Sequence, residues 1–271
     1  MPTNLKLAEP KPLTIREQVS GADIRRQVSP AEWKLREDLA AAYRLVAHYG
    51  WDDMIFTHIS ARVPDEQGHF LINPYGLLFD EITASSLVKV DHDGHAVIQT
   101  GALTNPAGFT IHSAVHMSRH DAGCVMHLHT VDGTAVSAMK EGLLPLNQTA
   151  LLVRETLAYH DYEGVALDHD ERPRLVADLA GKQTMLLRNH GTLALGATVA
   201  EAFTKMYFLE RACSMQVRSL AAGREALALP TADVIAKTAE QGMDGLAFVA
   251  NHLCWPALRR MLDRRNPGYA D

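Results

Sequence analysis

The sequence predicts an α/β fold in which helices pack on a mainly antiparallel central sheet. Three observations point there: short apolar strands come in pairs about turn segments, capped helices are interleaved with them, and 47% of the 271 residues are hydrophobic. A chain of this length and composition buries a sizeable core.

Residues 1–28 carry no sustained apolar period. Ser29-Pro30-Ala31-Glu32 then joins an N-cap serine, a first-turn proline and a glutamate at capping-box distance. In the helix that follows, Leu35, Leu39, Ala42, Val46 and Tyr49 share one face, and Gly50 is placed to end it. Antiparallel hairpins are expected from strands at 58–63 and 70–73 about Pro64-Asp65-Glu66-Gln67-Gly68, and from strands at 87–90 and 96–99 about Asp91-His92-Asp93-Gly94-His95. Asn105-Pro106 opens a helix to about His120, before an apolar strand at 123–128. A helix at 132–139, stopped by Gly142, precedes a run at 143–162 that suits helix and strand equally.

Next come a helix at 172–179 ended by Gly181, a buried strand at 184–188, the turn Asn189-His190-Gly191 and a strand to Leu195. Thr198-Val199-Ala200-Glu201 is a second capping box, opening a long helix to about Gly223. Leu229-Pro230 breaks the pattern, and 224–271 reads as a helical tail. Leu253, Trp255, Pro256, Leu258 and Met261 are too apolar to stay solvated there. They are expected to cover a hydrophobic surface on this chain or on a neighbouring subunit.

Composition narrows the function. Segment 1–18 is charged and broken by Pro10 and Pro12, so it lacks the apolar run of a signal peptide, and no later stretch is long and apolar enough to span a membrane. A formal charge of −6 argues against nucleic acid and anionic membranes as partners. The three cysteines, Cys124, Cys213 and Cys254, are an odd and sparse set that reads as reduced core thiols, as in a soluble cytoplasmic protein.

Fourteen histidines are many for this length, and some sit at ligand spacing. His127-Leu128-His129 lies at the end of a predicted strand, where period two puts both imidazoles on one face. His190 ends another buried strand and is followed by Gly191, where no side chain crowds the turn. Three neutral imidazoles with an open position would suit Zn, Fe, Mn, Co or Ni. Spacing leaves the third ligand open. His112 and His116, four apart on a predicted helix, are an equally legal pair, and a lone His-x-His arises readily by chance. Cys124, three residues before His127, has no matching second pair, so no zinc finger is read.

The string of motifs resembles the class II aldolase/adducin family over roughly residues 31–222. The carrying stretches are Phe56-Thr57-His58-Ile59-Ser60-Ala61-Arg62-Val63, Phe70-Leu71-Ile72-Asn73-Pro74-Tyr75-Gly76-Leu77-Leu78, Thr83-Ala84-Ser85-Ser86-Leu87-Val88-Lys89, Val125-Met126-His127-Leu128-His129-Thr130 and Leu187-Arg188-Asn189-His190-Gly191. The resemblance implies a three-layer α/β/α fold, with residues 1–30 as an arm, 31–222 as the metal-binding domain and 223–271 as a helical tail. It assigns one divalent metal ion, zinc foremost, to His127, His129 and His190. It also implies a homo-oligomer, a tetramer or dimer, acting on a small-molecule substrate.

The sugar-phosphate aldolases of the family carry a glutamate behind two serines, where this chain has Pro106-Ala107-Gly108. Their phosphate-loop Gly-Asn is Thr57-His58 here, and a Thr-Gly is Tyr75-Gly76. These exchanges resemble the adducin-like branch. They leave His58, Asn73, Tyr75, Gly76 and Gly108 as the candidate substrate pocket and the acid/base residue unassigned, with His112, His116 and His160 read as structural. The function implied is a metal-dependent lyase, aldol-cleaving or decarboxylating a small hydroxy- or oxo-acid. The alternative is a non-catalytic, adducin-like oligomerisation or binding module with an actin-type cytoskeletal partner.

Overall fold

The structure, a computed structural model, describes residues 21–98, 100–164, 169–242 and 245–271, and the side chains of 21, 22, 106–109 and 169 lie outside that description. Helix α1 (Gly21–Gln27) falls within the segment expected to be an arm; residues 1–20 lie outside the described residues. Helix α2 (Pro30–Tyr49) starts where Ser29 Oγ accepts the Glu32 N–H at 3.1 Å, and it stops at Gly50, whose φ of 67° is left-handed. The Glu32 carboxylate is buried and spent on Arg36 and Lys89 rather than on the helix start.

Seven strands form one sheet in the order β3-β2-β1-β4-β7-β6-β5. They are β1 (His58–Arg62), β2 (Phe70–Ile72), β3 (Val88–Val90), β4 (Cys124–Leu128), β5 (Leu157–His160), β6 (Thr184–Leu187) and β7 (Gly191–Gly196). Neighbours are antiparallel except β5 and β6, which run parallel. Of the run expected to be a strand at 96–99, the described residues 96–98 form no strand. Ala96 makes a single bridge to Val90, and Gln99 lies outside the described residues. The ambiguous run at 143–162 divides into α5 (Gln148–Arg154), capped by Asn147, and β5.

Alternation along β1 and β4 sorts residues between two helical layers. Ile59, Ala61, Cys124, Met126 and Leu128 face the core built with α2 and with α7 (Val199–Leu220). Val125 of β4, with Leu193 and Leu195 of β7, joins Ile111 and Val115 of α3 (Pro106–Ser118) and Leu175 and Leu179 of α6 (Arg172–Leu179) on the other side. The sheet is thus sandwiched, and His58, Ser60 and His127 share the α3 side by register. Helix α4 (Val131–Ser137) follows β4 directly, with Thr130 as its N-cap.

The tail comprises α8 (Ala232–Gln241), α9 (Leu246–Val249) and α10 (Trp255–Arg265). It packs on its own chain. Trp255, Leu262 and Tyr269 belong to the main core and Leu258 and Met261 lean on it, whereas Leu253 stays 56% exposed. Trp255 Nε1–H also donates to Asp38 at 2.9 Å, and the backbone N–H of Ala84 donates to the Tyr269 carbonyl at 2.8 Å. No described helix is long and apolar enough to cross a membrane. Replacing Trp255 by Ala should therefore cost about 3–5 kcal/mol, the usual range for truncating a buried aromatic. Urea unfolding of the full chain reads this out; an unchanged midpoint would show that the tail lies outside the cooperative fold.

Candidate metal centre

His127 is placed by β4, and His129 follows the strand's last residue on the same face. His190 comes from the β6–β7 turn, where Asn189 takes a φ of 57°, a left-handed conformation that asparagine tolerates better than most residues. Gly191 is required for space. A Cβ there would lie 2.4 Å from the Leu128 carbonyl oxygen and 3.1 Å from His129 Cδ2. The register pairs Leu128 with Thr192, so the turn lays His190 over the end of β4. The three ring centroids stand 4.7–4.8 Å apart.

The hydrogen bonds behind these rings fix their protons. His127 Nδ1 lies 3.0 Å from the Thr192 carbonyl and His129 Nδ1 lies 3.2 Å from Asp53 Oδ2. Both partners only accept, so both Nδ1 atoms carry hydrogen, and in neutral rings both Nε2 atoms are bare. Those two Nε2 atoms are 3.1 Å apart. Facing lone pairs repel unless a cation or a proton lies between them.

Burial works against a proton on His127 and His190. Desolvation, followed by the neighbouring His190 and His129, holds His127 far below the ordinary imidazole value, and desolvation with His129 brings His190 down to about 4. A divalent ion fits the space. One ligand atom from each of the three residues falls within 4.8 Å of the others, and two nitrogens bound tetrahedrally at ~2.0–2.1 Å would lie roughly 3.3 Å apart.

Buttressing comes from a residue the sequence did not single out. Glu210 of α7 is buried and accepts from Thr130 Oγ1 at 2.5 Å and Thr192 Oγ1 at 2.9 Å, tying together the segments that carry His129 and the carbonyl behind His127. Burial pushes its carboxyl up to about 7. Asp53, 76 residues before His129, was equally unmarked by any local pattern.

Of the candidate pocket residues, His58 is brought to the cluster, paired directly across the ladder from His127. It is 5% exposed, both its ring nitrogens lack a partner among the described residues, and burial lowers it to about 4. Asn73 is instead engaged by Tyr43, whose hydroxyl lies 2.8 Å from Asn73 Oδ1. Tyr75 is half-buried with its N–H on the Leu103 carbonyl, and Gly76 is exposed with open space around it. Gly108 lies in α3, and its surroundings are outside the described residues. His112 and His116, the other legal pair by spacing, both bond to Ser60. His160 is held by Asp178 and Glu171, which occupy both ring nitrogens.

Comparison with known proteins places this geometry. The family model described as "Class II Aldolase and Adducin N-terminal domain" matches residues 37–217. The chain belongs to the class II aldolase and adducin family. An aldolase II superfamily protein from Pseudomonas syringae is 53% identical, with a TM-score of 0.87 over 92% of this chain and 99% of that one. An L-fuculose 1-phosphate aldolase from Glaciozyma antarctica is 27% identical, with a TM-score of 0.75 over 87% and 92% of the two chains. Alpha-adducin of Rattus norvegicus is 50% identical over 190 residues, 69% of this chain but 26% of the adducin. The three-layer fold and the mainly antiparallel sheet are those of the family.

Glu210 supplies a test of this architecture by pH. Its folded carboxyl titrates above its unfolded one, so its contribution to stability is present below the unfolded value of about 4.5 and is lost as pH rises through about 7. In a Glu210→Gln variant, neutral throughout, the histidine contributions are shared with the parent and cancel in the difference. The variant should gain stability relative to the parent between pH 5 and pH 8 in urea unfolding of metal-free protein. A pH-independent difference would count against a buried carboxyl at this position.

Proposed function

We propose that the chain is a divalent-metal-dependent lyase acting on a small, unphosphorylated hydroxy- or oxo-acid by aldol cleavage or decarboxylation. The observation that carries the reading is the convergence of three imidazoles, with the Nε2 atoms of His127 and His129 3.1 Å apart beside His190, an arrangement a cation would stabilise. Zinc best suits three imidazoles, with Fe, Mn, Co and Ni also compatible. When bound, such an ion supplies Lewis-acid stabilisation of negative charge developing on a substrate oxygen.

The chain's own residues have separate parts in this. Thr192 and Asp53 orient the ligating rings and hold protons on their Nδ1 atoms. His58 lines the α3 side with ring nitrogens that have no partner among the described residues and that carry hydrogen-bonding capacity and no fixed charge. That composition suits a hydroxy- or oxo-acid better than a phosphate ester, which needs converging donors or cations. Gly108 offers no titratable group, so proton transfer falls to another residue. Family membership supports a small-molecule substrate, a self-assembled oligomer and a cytoplasmic setting.

The identity with an adducin over 69% of this chain favours a second reading, an adducin-like binding module without catalysis. Turnover separates the two. Metal-loaded protein should cleave or decarboxylate unphosphorylated acids in preference to sugar phosphates, and His127→Ala, His129→Ala and His190→Ala should each lose stoichiometric metal while keeping the fold. Metal content unchanged in all three variants would sink the site. No turnover of any acid, together with co-sedimentation on actin filaments, would favour the binding module.

A further inference from the structure

Three buried ring nitrogens without a partner among the described residues collect beside the three histidines, both of His58 and Nε2 of His112, and Thr57 Oγ1, next in sequence, is likewise buried and unpartnered among them. Thr57 is 2% exposed and holds a φ of 67°, a costly conformation for a β-branched residue, and His112 is wholly buried. The His58 and His112 rings meet edge to face with centroids 5.7 Å apart. His58 and His112 also act on His127, so the group adjoins the candidate metal centre.

The far side of His112 explains what this atom can do. Ser60 Oγ lies 2.7 Å from His112 Nδ1 and 2.7 Å from His116 Nε2, and His116 Nδ1 lies 3.0 Å from the Ala122 carbonyl oxygen. A carbonyl only accepts, so His116 Nδ1 carries hydrogen. Burial keeps that ring neutral, bringing it down to about 3, and its Nε2 must then accept the one hydroxyl proton of Ser60. Ser60 Oγ is left to accept from His112 Nδ1–H. His112, also held neutral by burial, is left with a bare Nε2.

We propose that the chain Ala122 carbonyl, His116, Ser60 and His112 is a tautomer lock that makes His112 Nε2 an obligate acceptor, and that on ligand binding the His58 ring, which makes no bond to it in the unliganded structure, rotates to donate an N–H to it and presents its other nitrogen, as an acceptor, to a hydroxyl of the ligand. This rests on the reading of the site given above and deepens it, selecting a hydroxy-acid over an oxo-acid. Only a hydroxyl donates to a bare imidazole nitrogen; a keto oxygen placed there would leave two acceptors facing each other. Ser60 and His112 are positioning residues in this scheme, and His58 is the group that touches ligand.

The test has two readouts on the full-length chain. Nitrogen-15 NMR of labelled histidines in metal-free, ligand-free protein should show His112 and His116 both protonated at Nδ1 and bare at Nε2. Ser60→Ala should move His112 off that tautomer, and Ser60→Thr, which keeps the hydroxyl, should restore it. Calorimetry on zinc-loaded protein with lactate and pyruvate as probes should then show a preference for lactate. Ser60→Ala should reduce that preference on the order of tenfold or more, with pyruvate affinity little changed. His112 protonated at Nε2 in the parent would overturn the lock. Lactate and pyruvate held equally, or neither held, would overturn the hydroxyl assignment. Metal content of the same samples judges the metal centre separately.

Discussion

Two imidazole nitrogens held 3.1 Å apart are the constraint around which the rest of the candidate centre is organised. Left alone, His127 and His129 would rotate apart. The Thr192 carbonyl and the Asp53 carboxylate prevent that by holding each Nδ1–H from behind. The carbonyl is where it is because β7 pairs with β4 in a register that sets Leu128 against Thr192, and that register survives because Gly191 brings no Cβ against the Leu128 carbonyl. Glu210 then locks the same two segments from the α7 side through Thr130 and Thr192. An ion that bound only this folded arrangement would stabilise it, which would link metal affinity to fold stability.

Local pattern in the sequence carried much of this. Period two along 124–129 was enough to place His127 and His129 on one face, and the reading of Gly191 as a position without room for a side chain agrees with the steric contact found there. The helix starts at Ser29 and Thr198 were legible because an N-cap is a matter of three or four neighbouring residues. What spacing left open was decided by tertiary pairing. His112 and His116 are as good a pair as His127 and His129 until β1 sets Ser60 between them. Asp53 and Glu210 act across 76 and 80 or fewer residues, on a loop and on a helix whose own patterns mark only their secondary structure.

The misreadings have the same origin. Glu32 sits at capping-box distance, but burial next to Arg36 and Lys89 offered its carboxylate stronger partners than a backbone N–H at the surface. The run at 96–99 has strand character yet adds only one bridge to β3 at the sheet edge. Each local signal was real, and in each case a contact distant in sequence took precedence.

Alternation also divides the labour of the sheet. The face toward α2 and α7 is a continuous apolar surface of Ile59, Ala61, Cys124, Met126 and Leu128, while the opposite face of the same strands holds His58, Ser60 and His127. Because the two sets point away from each other, the polar set can be exchanged with little effect on the packing that defines the fold. One scaffold can therefore serve an L-fuculose 1-phosphate aldolase at 27% identity and an adducin segment at 50%. The polar face is the relevant ground for comparison. There the chain brings three imidazoles together, with His58 and His112 beside them.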